Sequence, residues 1–231
     1  GKIWFGAIGN QDSAKTPLIA IHGGPGMSHS YLYPLSDLAD ERLVIFYDQL
    51  DAGRSDRPNN SQNWNLPRFL RELDDLRKAL DLYRVAIFGN SWGGTIAAAY
   101  ASSNPKGLER LILSSPLLST ELWLADNQSH RDNLPSELIS VMQRCEEESQ
   151  EASQEYQDAV DVFYSRHFCR VNPLPDYVED TMNSLNEVCY QGMWGPNEFT
   201  CKGILQDYDG LSELAAIQAP TLVTCGQFDE A

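Results

Sequence analysis

Residues 85–94 read VAIFGNSWGG, and the folding of this stretch sets the reading of its neighbours. Val85 to Phe88 form a continuous apolar run, as expected of a strand covered on both faces. Small residues follow in TIAAAYASSNP, 95–105, which predicts a helix ended by Asn-Pro. A serine flanked by Gly89 and Gly93 between a strand and a helix fits the Gly-x-Ser-x-Gly nucleophile elbow. Such a turn strains the serine backbone, and the glycines keep side chains away from the helix and the adjacent strands. The hydroxyl of Ser91 then stands above the end of the sheet, where ligands bind in open α/β folds. The N–H of Trp92 lies at the helix N-terminus and is placed to donate to an oxyanion. A serine between glycines is also an ordinary turn residue; the strand and helix around it favour the nucleophile.

Working outward, TPLIAIHGGPG (16–26) and RLVIFYDQ (42–49) are further strand-type runs, and ERLILSS (109–115) follows the small-residue helix. KIWFGAIG (2–9) predicts one strand of an N-terminal hairpin. In NLPRFLRELDDLRKALDL (65–82), Leu66, Phe69, Leu70, Leu73, Leu76 and Leu80 recur at helical spacing, with Asn65 as N-cap and Pro67 in the first turn. Strand and helix alternate, so the fold class is α/β: a mostly parallel, doubly wound sheet with helices on both faces. The rhythm stops after Ser115. Residues 119–205 are helical, acidic and irregular; residues 136–168 read as one or two amphipathic helices, and Glu146 to Glu155 as a solvated face. The sheet rhythm returns in GLSELAAIQAPTLVTCGQFDE, 210–230, as a short helix, a strand from Thr221 to Cys225 and a loop. This divides the chain into a first core part (1–118), an inserted helical lid (119–205) and a return to the core (206–231).

Composition excludes several partners. The formal net charge is −16 over 231 residues, against the basic face that nucleic acid or an anionic membrane requires. An amine would be attracted. Five cysteines, an odd count without zinc or CxxC spacing, read as free thiols of a reducing, cytoplasmic compartment. No apolar run approaches the ~18 residues of a membrane helix, and no basic-then-apolar leader is visible. No cofactor and no metal is implied.

Two loops complete the chemistry. HGGPG (22–26) ends the first buried strand, and its glycines allow the close backbone approach that a second oxyanion donor needs. Gly24 is the assigned donor, with Gly23 the alternative; His22 reads as loop scaffolding rather than as a base. In YDQLDAGRSDRP (47–58), Asp48 and Arg54 are expected to pair and hold the loop beside the site.

In this order, HGGPG, YDQ-x-x-x-GRSDRP and GNSWGG resemble the proline iminopeptidase family of α/β-hydrolases, a group that includes tricorn-interacting aminopeptidases and amino-acid amidases. The resemblance runs over nearly the whole chain and implies an α/β-hydrolase fold. Asp51 stands where many relatives carry glycine. MWGPNEF (193–199) is similar to the family's lid motif, whose glutamate binds the substrate's free α-amino group, which implies that role for Glu198. In CGQFDEA (225–231) the resemblance puts the triad acid on Asp229 and a second amine anchor on Glu230. Two carboxylates can hold one ammonium, which would make an exopeptidase of a general serine hydrolase.

A triad of this fold runs Ser, acid, His. His22, His29, His130 and His167 all precede Asp229, and the resemblance implies a base roughly 25 to 30 residues after the acid. The chain is thus expected to be a truncated, inactive fragment lacking its general base, a terminal strand and a final helix. The leading reading is a serine aminopeptidase acting on peptides or amino-acid amides with a free N-terminus, releasing proline or a small apolar residue. An amidase or esterase of the same fold, or a non-catalytic binding protein on this scaffold, are the alternatives. Trp64, Trp123 and Tyr190 read as packing residues and Trp194 as a pocket residue.

Overall fold

Successive side chains of a strand face opposite sides of its sheet, and here both sides are apolar. The structure, a computed structural model, describes residues 1–229. Among these, six strands form one sheet: β1 (Trp4–Ile8), β2 (Leu18–Ile21), β3 (Val44–Asp48), β4 (Val85–Ser91), β5 (Leu108–Pro116) and β6 (Thr221–Thr224). Their order is β1-β3-β2-β4-β5-β6. All neighbours run parallel except β1 against β3.

Ile19, Ile21, Ile45, Tyr47, Val85 and Ile87 face one side. They pack on Phe69 and Leu73 of α1 (Leu66–Ala79) and Ile96 and Ala97 of α2 (Trp92–Ser102). Leu18, Ala20, Val44, Phe46 and Ala86 face the other, under Leu32 and Leu35 of a 3-10 helix, His29–Asp40. The continuous apolar runs are therefore strands buried twice over. The Asn65 side chain accepts from the N–H of Arg68 at 3.1 Å, capping α1 as its sequence predicts.

The expected N-terminal hairpin does not form. β1 pairs with β3, from Trp4 opposite Asp48 to Ile8 opposite Val44. The edges of β2 are already taken by β3 and β4, so β1 has no place beside it. The alternating half-burial of β1, with Phe5 44% exposed, suits the sheet edge it occupies.

Between β5 and β6 lie α3 (Thr120–Asp132), α4 (Ser136–Glu147), α5 (Gln154–His167), α6 (Asp176–Asn183) and α7 (Glu187–Met193). Met142 and Cys145 of α4 pack on Tyr156, Ala159 and Phe163 of α5, a small core separate from the sheet. The acidic stretch here is not wholly a solvated face. Glu146 pairs with Arg131 at 2.8 Å, and Glu155 pairs with Arg144 at 2.6 Å. No helix among the described residues is long and apolar enough to cross a membrane.

Candidate active site

Ser91 ends β4 with φ +52° and ψ −122°, a backbone conformation that L-residues rarely hold and that functional sites concentrate. The elbow's glycines explain how the turn closes. A Cβ on Gly93 would lie 2.2 Å from the carbonyl oxygen of Ile21, and one on Gly89 would lie 2.3 Å from that of Gly93. Both obstacles are backbone and cannot swing aside. Gly93→Ala is accordingly expected to cost about 1–3 kcal/mol or more, checked by chemical denaturation.

Because β2 lies beside β4, with Ile21 opposite Gly89, the glycine loop emerges next to the serine. A Cβ on Gly23 would sit 3.0 Å from the Cβ of Ser91. The N–H of Gly23 is occupied, donating to the Tyr31 hydroxyl at 2.6 Å. Tyr31 in turn donates to Asn90 Oδ1 at 2.6 Å, and Asn90 Nδ2 donates to the carbonyl of Ser114 at 3.0 Å. Burial raises the Tyr31 pKa, keeping this hydroxyl protonated. The N–H of Gly24 has no acceptor among the described residues. Trp92 opens α2, so its N–H has no intrahelical acceptor either.

His22 is fully buried, and burial lowers its pKa, which keeps the imidazole neutral. Its Nδ1 lies 2.8 Å from the Gly23 carbonyl, and its Nε2 accepts from the Gln49 N–H at 3.1 Å. This tautomer shapes the loop. The expected Asp48–Arg54 ion pair does not form, and hydrogen bonds from His29 take its place. Asp48 accepts from the backbone N–H and Nδ1 of His29, each at 2.8 Å, and from the backbone N–H of Arg54. The guanidinium of Arg54 instead lies over the Trp4 ring, 4.9 Å from its centroid. Burial alone would raise the Asp48 pKa; the hydrogen bonds it accepts, that from the His29 side chain foremost and that from the Arg54 N–H beside it, outweigh burial and hold the carboxyl at about 2. Asp51 keeps the positive φ, +67°, that a glycine would adopt freely. Its carboxylate accepts from the Asn59 N–H at 2.7 Å and the Trp64 indole at 2.9 Å, bonds that secure the loop.

At the ends of β5 and β6, Asp229 accepts from the Ser115 hydroxyl at 2.5 Å and the Gly226 N–H at 3.3 Å. From the helical segment comes Glu198, which is 7% exposed. The Tyr190 hydroxyl donates to its Oε1 at 2.6 Å, and the Trp123 indole to its backbone carbonyl at 3.0 Å. Burial raises the Glu198 pKa, and the bond from Tyr190 only partly opposes this, leaving it at about 7. One cavity of about 250 Å³ brings Ser91, Gly23, Gly24, Asp229 and Glu198 together. Glu230 lies outside the described residues.

Two of the aromatic assignments change, those of Trp123 and Trp194. Trp123 lines this cavity, whereas Trp194 is buried behind it, edge-on to Trp123, with its indole donating to the Asn197 carbonyl. The motif position of Trp194 reflects a brace for the Glu198 loop. Tyr190 and Trp64 are packing residues of the main core, as expected, with their polar atoms bonded to Glu198 and Asp51. Sequence reasoning missed Tyr31, Asn90 and Ser115; only Asn90 carried a signal, its place inside the elbow.

A strained serine between a central parallel strand and a helix, faced by a glycine loop from the adjacent strand, defines the alpha/beta hydrolase fold. A profile of that fold matches residues 16–231. A proline iminopeptidase of Heyndrickxia coagulans is 42% identical over 223 residues, 96% of this chain and 77% of the relative. The crystal structure of a proline iminopeptidase from Mycobacterium smegmatis superposes with a TM-score of 0.93 at 34% identity, covering 99% of this chain and 79% of that one. That of VinJ superposes at 0.95 with 33% identity and the same coverage. The chain belongs to the proline iminopeptidase family of α/β hydrolases.

Proposed function

We propose that the protein is a serine aminopeptidase that releases one N-terminal residue, proline or a small apolar one, from peptides through an acyl-enzyme. Ser91 attacks the acyl carbon, and the N–H groups of Gly24 and Trp92 hold the resulting oxyanion. Asp229 orients the imidazole that takes the serine proton. None of the four histidines hydrogen-bonds to Ser91 among the described residues, and this reading leaves the base to a histidine after Asp229, as the family order implies.

The observation that carries the reading is Glu198. It is a buried carboxylate in the cavity of Ser91, and no cation of the described residues pairs with it. A buried acid is stabilised by a charged partner, and a substrate ammonium supplies one. The cavity also suits a single residue: it is smaller than the roughly 300–1,000 Å³ of sites enclosing drug-sized ligands. The names of the relatives support the same substrate class.

The test is turnover of prolyl amides with free and acetylated nitrogen by the full-length protein. The free amine is expected to be preferred by at least about 100-fold in kcat/KM, since acetylation leaves the carboxylate unpaired. Equal turnover would sink the amine-anchor role.

A further inference from the structure

We propose that Gln49 is the positioning residue that sets the gap between the two oxyanion donors; the proposal rests on the acyl-transfer reading of Ser91. Gln49 follows β3 directly and is 1% exposed. Its Nε2 donates to the backbone carbonyl of His22 at 2.8 Å, and its Oε1 accepts from the Trp92 indole at 2.9 Å. Its own N–H donates to His22 Nε2 at 3.1 Å. A carbonyl only accepts and an indole N–H only donates, so one orientation of the amide satisfies both.

The two groups it joins are telling. His22 stands two residues before Gly24 in the glycine loop, and Trp92 bears the other donor on its own backbone. A single planar amide therefore spans the two segments whose separation decides whether both N–H groups reach one oxygen. Tyr31 and Asn90 tie the same segments on the cavity side, so Gln49 closes the frame from beneath. Donors work at about 2.7–3.1 Å from the oxyanion, and a misplacement of about 1 Å can cost about 100-fold in rate. Among the described residues, the side-chain partners of Gln49 all belong to His22 and Trp92.

The test compares full-length wild type, Gln49→Met and Gln49→Glu on a prolyl amide and on a simple acetate ester, with binding of a prolyl aldehyde as the tetrahedral mimic. Gln49→Met keeps the length and removes both bonds. It is expected to lower kcat roughly 10- to 100-fold on both substrates with KM within about twofold, and to weaken the aldehyde by the same factor as kcat/KM. Gln49→Glu sets a carboxylate against the His22 carbonyl. Protonation restores a donor and an acceptor in the places of the amide, so its kcat relative to wild type is expected to rise as pH falls, a response that lost packing would not give.

A rise in KM with kcat unchanged, or aldehyde binding unmoved by both variants, overturns the proposal while leaving the peptidase reading intact. If Gln49→Met does not fold, the pH response of Gln49→Glu decides alone, a flat ratio being the overturning result. A wild type that cleaves the ester and not the prolyl amide refutes the aminopeptidase reading, and the ester data still test Gln49. A wild type inert toward both overturns the two together.

Discussion

Ser91→Ala is expected to lower kcat on a prolyl amide by at least about 10⁴-fold, leaving only what binding and the oxyanion donors supply. The structure predicts that this loss comes without a loss of fold. The Ser91 hydroxyl makes no hydrogen bond among the described residues, so its removal orphans no partner. Alanine keeps the Cβ, so the strain of φ +52° is unchanged. A Tm at or slightly above that of wild type should therefore accompany the collapse in rate. A fluorophosphonate should label wild type on the peptide carrying residue 91 and leave the variant unlabelled. A variant that retains turnover, or labelling at another residue, would remove Ser91 as nucleophile and with it the whole acyl-enzyme scheme.

The parts of this site that were legible in the sequence are those carried by local backbone rules. The elbow needs two small residues because backbone carbonyls lie where a Cβ would go at Gly89 and Gly93, and that demand is written as Gly-x-Ser-x-Gly. The core strands were readable because a strand buried on both faces has to be apolar throughout. Asn65 was readable because a cap acts within three residues of itself.

What escaped depends on contacts distant in sequence. Periodicity marks β1 as a strand and says nothing of its partner; the occupied edges of β2 decide that. Arg54 and His29 both lie near Asp48, and only the fold shows that the imidazole reaches the carboxylate while the guanidinium turns onto Trp4. Trp123 and Trp194 are alike in composition, yet one lines the cavity and the other braces the loop behind it. Tyr31 lies 59 residues from Asn90, and Gln49 lies 43 from Trp92. Neither pairing leaves any spacing to read.

Glu198→Gln is expected to lower kcat/KM for a free prolyl amide by about 10²- to 10³-fold, the usual cost of leaving one member of a buried charge pair alone. Turnover of a simple ester should change little, because an ester brings no ammonium to the cavity. The pH dependence follows from the same residue. In the free enzyme burial keeps Glu198 protonated below about pH 7, so wild-type kcat/KM should rise as pH climbs through that range. It should fall again as the substrate amine loses its proton, roughly at pH 8. The rising limb owed to Glu198 should disappear in the variant.

Stability supplies an independent readout. A carboxyl whose folded-state pKa is raised binds its proton more tightly folded than unfolded, so the ionised form opposes folding at higher pH. Between the ordinary carboxylate pKa and about 7, wild type should lose stability that the neutral glutamine retains. The Tm of Glu198→Gln relative to wild type should thus widen from pH 4 to pH 7 and level off above it, and a saturating ammonium ligand should close the gap by restoring a partner to the carboxylate. A Tm difference independent of pH would mean that Glu198 carries no unpaired charge in the folded protein, and the amine anchor would have to be sought elsewhere in the cavity.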